Sequence, residues 1–180
     1  MFQKLYIIIL LFISMIQKIK ENVWKIIFEK NFGSCVYFLK TDNKNILIDT
    51  GSKENENELK EYLKKIGSSP AKIDVVLLTH DHWDHLGNIG LFTEAEIYHP
   101  IELKNYLPEI KTIKIIKTPG HTRDSVCFLY ENILFSGDTL FDDGYIGRTD
   151  FPESEPEKMQ ESLKILKKIN YDILCPGHNL

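Results

Sequence analysis

Residues 75–85 read Val75-Val76-Leu77-Leu78-Thr79-His80-Asp81-His82-Trp83-Asp84-His85. The four apolar residues at the start have the character of a buried strand, and Thr79 to His85 has the opposite character. Three imidazoles and two carboxylates fall between His80 and His85, and each needs a hydrogen bond or a coordination bond once it leaves water. A metal ion supplies several such bonds at once. In an extended turn the spacing of two places His80, His82 and Asp84 on one side, and His85 turns in where a helix begins. A lone His-x-His pair reads equally well as a solvated loop. A His-x-His-x-Asp-His run directly after an apolar strand reads as a ligand loop.

Three more apolar runs end in the same way. Ile113 to Ile116 leads to Pro119-Gly120-His121-Thr122, Ile133 to Phe135 leads to Gly137-Asp138-Thr139, and Ile173 to Leu174 leads to Cys175-Pro176-Gly177-His178. In each Pro-Gly-His turn the glycine lets the backbone swing, so that the imidazole points back along the strand end. Taken singly, these are turns with a surface histidine, and Gly137-Asp138-Thr139 is an ordinary Asx turn. Together they place a ligand-type residue beyond each of four buried strands. If those strands share a sheet edge, the side chains converge on one site assembled from four loops. Of the six histidines, His99 alone stands outside these motifs, and it reads as structural or as a pocket residue.

Elsewhere in the chain, Val23 to Phe28 and Ser34 to Leu39 are candidate strands, and Asn45 to Asp49 completes a hairpin across Thr41-Asp42-Asn43-Lys44. From Glu54 to Ile66, Leu59, Tyr62, Leu63 and Ile66 form the stripe of an amphipathic helix that Gly67 stops. A second helix opens at Ser154 with Pro156 and Glu157 in a capping-box pattern and buries Met159, Leu163, Leu166 and Ile169. Each has one wet face, so each covers a sheet from outside. No repeat or low-complexity linker interrupts the chain, and one domain over residues 15–180 is the simplest count.

The 180 residues are 43% hydrophobic and 27% charged, ordinary for a globular domain, and the net charge of -4 is spread along the chain. No basic stripe exists for a phosphate backbone, which argues against nucleic acid as a partner. Cys35, Cys127 and Cys175 form no Cys-x-x-Cys pair, so they read as buried small hydrophobes in a reducing, cytoplasmic setting. Leu5 to Ile16 is almost wholly apolar between Lys4, Lys18 and Lys20. At twelve residues it falls short of the ~20 that span a bilayer as a helix, and no small-x-small cleavage site follows. Residues 1–14 read as an apolar extension ahead of the domain, with Met15 an alternative start. The other reading is a weak peripheral membrane anchor.

Ile48-Asp49-Thr50-Gly51, the His-x-His-x-Asp-His run, the turn at His121, Gly137-Asp138-Thr139-Leu140-Phe141, Gly147-Arg148-Thr149-Asp150-Phe151-Pro152 and the last Pro-Gly-His come one after another in a specific order. In that order the chain resembles the metallo-β-lactamase superfamily, and within it the glyoxalase II-like hydrolases. The resemblance implies an α/β fold, an αββα sandwich of two mixed sheets with helices on the outer faces, and a dinuclear site. It implies that His80, His82 and His121 hold a first metal, that Asp84, His85 and His178 hold a second, and that Asp138 bridges them. It also makes Asp49 a residue that orients the ligand loop.

Imidazole and carboxylate without thiolate suit two Zn²⁺ ions and tolerate Fe or Mn²⁺. Two divalent ions, offset by Asp84, Asp138 and a bridging hydroxide, leave one net positive charge. Such a pair generates hydroxide near neutral pH and steadies the oxyanion that forms when it attacks. Asp84, which also orients that hydroxide, is the catalytic residue of this reading. Tyr145 and Arg148 lie near the mouth of the pocket, where Arg148 pairs either a substrate carboxylate or a nearby Asp of its own loop.

The scaffold alone does not fix the substrate. The glyoxalase II pattern continues into a helical region that recognises glutathione, whereas this chain ends two residues after His178, so a smaller thioester or related ester is expected. Zinc β-lactamases place a Cys where Asp138 stands. Two alternatives remain open: a mono-iron oxygenase resembling the persulfide dioxygenases, which share Gly-Arg-Thr-Asp-Phe, and a zinc-stabilised binding module. The mixture of His and Asp argues against the module, since structural zinc sites are commonly closed and rich in Cys.

Overall fold

The computed structural model describes residues 15–28, 33–41, 43–103 and 110–179, so residues 1–14 of the expected extension and Asp42 of the expected turn lie outside it. The chain divides into two compact units that interleave in sequence. The first runs to Val76 and takes in Trp83–Ile97; the second is Leu77–His82 with Tyr98 onward.

The first unit is built on a six-stranded sheet. Its order is β1 (Ile16–Lys20), β2 (Val23–Ile26), β3 (Val36–Lys40), β4 (Asn45–Ile48), β5 (Val75–Leu77) and β6 (Glu96–Tyr98). Strands β1 to β4 pair antiparallel in sequence order. Val36 to Leu39 and Ile46 to Ile48 are buried on both faces, which is why these strands read as continuous apolar runs instead of alternating. The β3–β4 turn is held by Thr41, whose N–H and hydroxyl both donate to the Lys44 carbonyl. Helix α1 (Glu56–Lys65) comes after a short 3₁₀ turn and buries Leu59, Tyr62 and Leu63, as the periodicity predicts, while Ile66, expected in the same stripe, is the half-buried residue that caps its C-terminus. It ends where Gly67 takes φ +79°, which a residue with a Cβ reaches only under strain. The short helix α2 (Trp83–Leu86) lies beyond β5 in the chain.

The second unit carries a four-stranded sheet ordered β10 (Ile173–Pro176), β9 (Ile133–Gly137), β8 (Val126–Tyr130) and β7 (Ile113–Lys117). Strands β7 and β8 are antiparallel, β8 and β9 are antiparallel, and β9 and β10 are parallel. Therefore β7, β9 and β10 all run the same way and all end at the same edge. That edge receives the turns carrying His121, Asp138 and His178. The expectation of one edge for four strands is corrected in part, because β5, which precedes His80, belongs to the six-stranded sheet.

Helix α3 (Pro156–Leu166) buries Met159, Ser162 and Leu166. Leu166 joins Ile116, Cys127 and Leu134 in a core cluster, against which Ile169, Tyr171 and Leu174 pack. Leu163, expected in the buried stripe, is only half-buried, and Ser162 stands in it, its hydroxyl donating to the Pro119 carbonyl at 2.7 Å. The capping box at Ser154 does not form. The helix opens at Pro156 after Glu155 with no side-chain cap, because the Ser154 hydroxyl is committed to the carbonyl of His121 at 2.6 Å. All three cysteines are buried thiols. Among the described residues no helix is long and apolar enough to cross a membrane.

Candidate metal centre

The second unit brings together His80, His82 and His121. Each offers a ring nitrogen to one cluster, all within 4.8 Å of one another. Nδ1 of His82 lies 3.1 Å from Nε2 of His80 and 2.9 Å from Nε2 of His121. The rings stand edge to face, with centroids 4.6 to 4.7 Å apart. His80 and His121 are buried, and His82 is the more open of the three.

The far nitrogens of these rings explain what the near ones can do. His121 Nδ1 donates to the backbone carbonyl of Arg148 at 2.7 Å, and a carbonyl only accepts, so the proton sits on Nδ1. His82 Nε2 donates to Glu153 Oε1 at 2.8 Å, which puts its proton on Nε2. His80 Nδ1 lies 3.1 Å from the Thr79 hydroxyl. In the neutral rings, the facing atoms of His82 and His121 are therefore both lone pairs, 2.9 Å apart. Two lone pairs at that distance repel unless a cation lies between them. A shared proton serves one such contact, but a metal ion serves all three rings. Zinc–nitrogen bonds of ~2.0–2.1 Å separate tetrahedral ligands by roughly 3.4 Å, so the two contacts of His82, at 3.1 and 2.9 Å, need to open by only a few tenths of an ångström. The donor set fits a divalent ion.

Asp138 and His178 come to the same sheet edge. Asp138 Oδ2 lies 3.6 Å from His121 Nε2 and 3.5 Å from His178 Nε2. The parallel register sets Pro176 opposite Gly137, and the Gly177 N–H donates to the Gly137 carbonyl at 2.8 Å. Gly137, at φ +50°, also packs against Thr79: a Cβ there would come within 2.7 Å of the Thr79 side chain, beside His80. Gly147 fills a similar place, since its added Cβ would strike the Asp138 carbonyl and reach within 2.8 Å of His121 Nδ1.

Asp84 and His85 belong to the first unit. Helix α2 begins before Asp84, two residues earlier than the turn at His85 anticipates. His85 is fully buried, and its Nδ1 donates to Asp49 Oδ2 at 2.8 Å, which leaves Nε2 as the lone-pair atom. Asp49 holds φ +58°, and the neighbouring Thr50 N–H and hydroxyl both donate to the His85 carbonyl. The Asp-Thr-Gly segment thus grips His85 at ring and backbone.

Of the other candidates, Arg148 is exposed and paired through Nε and one terminal nitrogen with both carboxylate oxygens of Asp150, at 2.9 and 2.8 Å. It also lies over the Phe151 ring at 4.7 Å. Of its two expected roles, the ion pair within its own loop is the one seen. The guanidinium holds the Asp150 carboxyl below its ordinary range. Tyr145 is 69% exposed on the loop between Asp138 and Arg148. His99 hydrogen-bonds Asp81 at 2.8 Å and starts a 3₁₀ turn at Pro100, the structural role. Glu153 went unnoticed in the sequence because an acidic residue just ahead of a helix reads as helix-start chemistry. The His82 hydrogen bond holds its carboxyl below the usual range.

The model of the metallo-beta-lactamase superfamily matches residues 31–112 and 102–178. A probable metallo-hydrolase of Methanocaldococcus jannaschii is 32% identical over 179 residues, covering 78% of this chain and 85% of that protein. A hydroxyacylglutathione hydrolase of Hydrogenovibrio crunogenus is 31% identical over 76% of this chain, which spans 54% of that relative's length. A solved metallo-beta-lactamase from Pontibacter korlensis superposes with TM-score 0.75 at 20% identity, over 92% of this chain and 91% of that one. The last likeness speaks for the fold, two sheets with helices as expected. By its matched residues and its relatives, the chain belongs to the metallo-beta-lactamase superfamily.

Proposed function

We propose that the protein hydrolyses a small thioester or related ester with two divalent metal ions. The observation that carries this reading is the triangle of ring nitrogens of His80, His82 and His121, two of them presenting lone pairs to one point. These three would hold the first ion. Asp84, His85 and His178 would hold the second, with Asp138 between the two, in keeping with the order of the motifs. Zn²⁺ suits these donors best, with Fe or Mn²⁺ tolerated. When bound, the ions supply a water acidified toward neutrality and positive charge for the oxyanion that forms at the attacked carbonyl.

The chain's own residues do the rest. Asp49 fixes the His85 ring, Arg148 through its carbonyl fixes His121, and Asp84 orients the attacking water. Tyr145, exposed beside the Asp138 loop, offers an apolar face to the substrate's acyl group. The likeness to a hydroxyacylglutathione hydrolase supports thioester chemistry, while the match to about half of that relative leaves glutathione recognition to test.

The experiment is metal analysis of protein purified without chelator, with steady-state hydrolysis of a small activated thioester and of S-lactoylglutathione. About two metal equivalents are expected, with the small thioester preferred, and Asp84→Ala should lose one equivalent and most of the hydrolysis. One firmly held iron, with oxygen uptake on a persulfide and no thioester hydrolysis, would replace this reading by the oxygenase.

A further inference from the structure

The segment from Gly147 to Glu155 folds back over two of the three converging histidines. The Arg148 carbonyl takes the His121 Nδ1 proton, and the Phe151 ring lies edge-on to His82 and His121, with centroids 5.2 and 5.9 Å away. The Ser154 hydroxyl holds the His121 carbonyl, and the Glu155 N–H donates to the Gly120 carbonyl at 2.9 Å. Glu153 sits in the middle of these contacts. Its own backbone carbonyl accepts from the Arg123 N–H at 2.9 Å, so its main chain is tied to the turn that carries His121. From that anchored position its carboxylate reaches His82 Nε2 at 2.8 Å.

We propose that Glu153 is a positioning residue for the metal centre: by accepting the Nε2 proton of His82 it fixes the tautomer and ring plane that turn the Nδ1 lone pair toward the ion. His82 differs from His80 and His121 in needing this most, because its side chain is 19% exposed and its ring could otherwise turn or take the other tautomer. With the proton on Nδ1, the ring would present a donor to the metal and could not bind it. A carboxylate has no donor to offer, so it selects the tautomer that leaves Nδ1 bare for the metal. Glu153 is itself 43% exposed, so the pair adds little to folding. Its effect therefore falls on the ligand and not on the fold.

This inference rests on the metallo-hydrolase reading, and two measurements separate their fates. The first is the ¹⁵N imidazole spectrum of the metal-free protein and of Glu153→Ala, with circular dichroism to confirm the fold. His82 should show Nε2 protonated in the parent and a mixture of tautomers in the variant. The second is competition of Zn²⁺ and Co²⁺ against a chelator for the parent, Glu153→Ala and Glu153→Asp. Affinity should fall about 10–100-fold in the alanine variant and recover in part in the aspartate variant. An unchanged tautomer, or a changed tautomer with unchanged metal affinity, overturns the role of Glu153. A parent that binds neither ion, yet shows the expected tautomer shift, overturns the metal reading and leaves the hydrogen-bond assignment standing.

Discussion

Pro119-Gly120-His121 and Pro176-Gly177-His178 are the same tripeptide at the ends of β7 and β10, strands that run in one direction at opposite sides of one sheet. Their surroundings differ. The first turn is pressed against helix α3, where Gly120 at φ +154° leaves no room for a Cβ beside Met159, and its histidine is held at ring and carbonyl by residues 148 and 154. The second turn is held through its neighbour strand, by the Gly177 N–H on Gly137, and its histidine side chain is 23% exposed against 4% for His121. Identical local chemistry thus yields one histidine held by a segment folded over it and a more exposed one, whose turn is held by strand pairing and whose ring meets Phe141 at 6.4 Å between centroids. The fixed one should bind metal the more tightly, since less ring freedom is lost on binding.

The largest expected effect is at these two histidines. If two ions bind as proposed, His121→Ala should weaken the tightly held one by more than about 100-fold, since even outer-sphere partners account for about 10–100-fold, whereas His178→Ala should leave that ion in place and release the other. Metal titration of both variants measures this. Equal losses would mean that the two turns serve one ion and that the contrast between them has no functional weight.

A smaller effect is expected at Gly120→Ala. The new Cβ would meet Met159 Cα, Cβ and Cε at 2.9 Å in a backbone conformation already unfavourable to L residues, costing about 2–4 kcal/mol. Chemical denaturation of the metal-free protein reads it. A cost below about 1 kcal/mol would show that packing on α3 is not what fixes the first turn.

The smallest effect at neutral pH lies beneath that turn, at Cys127, which faces Ile116 across the β7–β8 register. Burial pushes its thiol up to about 11 from 9.0. A raised pKa means that the folded state keeps the proton better than the unfolded chain. That contribution is fully present below about pH 9 and is lost as pH rises through about 11. A thiol reagent at pH 8 should leave Cys127 unmodified in the folded protein, and Cys127→Ala should flatten the loss of stability between pH 9 and 11. Rapid native labelling would mean that the turn above it opens readily, contrary to its fixed state.

Local sequence specified which atoms could bind a metal and in what order along the chain they come. Val75 to Leu78 and the other apolar runs announce buried strands, and a ligand-type residue after each is local information, readable from spacing and turn chemistry. The amphipathic stripe of α1 and its stop at Gly67 are local in the same sense. Strand Val126–Tyr130 and the short Glu96–Tyr98 went unread, since five and three residues carry too little periodicity to separate a strand from any apolar run. Folding, not spacing, assigned each strand to its sheet, and so put β5 apart from β7, β9 and β10. It also settled where the histidine protons sit. His82 meets Glu153 across 71 residues of chain and His121 meets the Arg148 carbonyl across 27, and no local pattern encodes a partner that far away. A histidine's identity is written in the sequence. Which of its nitrogens is left to bind a metal depends on the acceptor that folding brings to the other one.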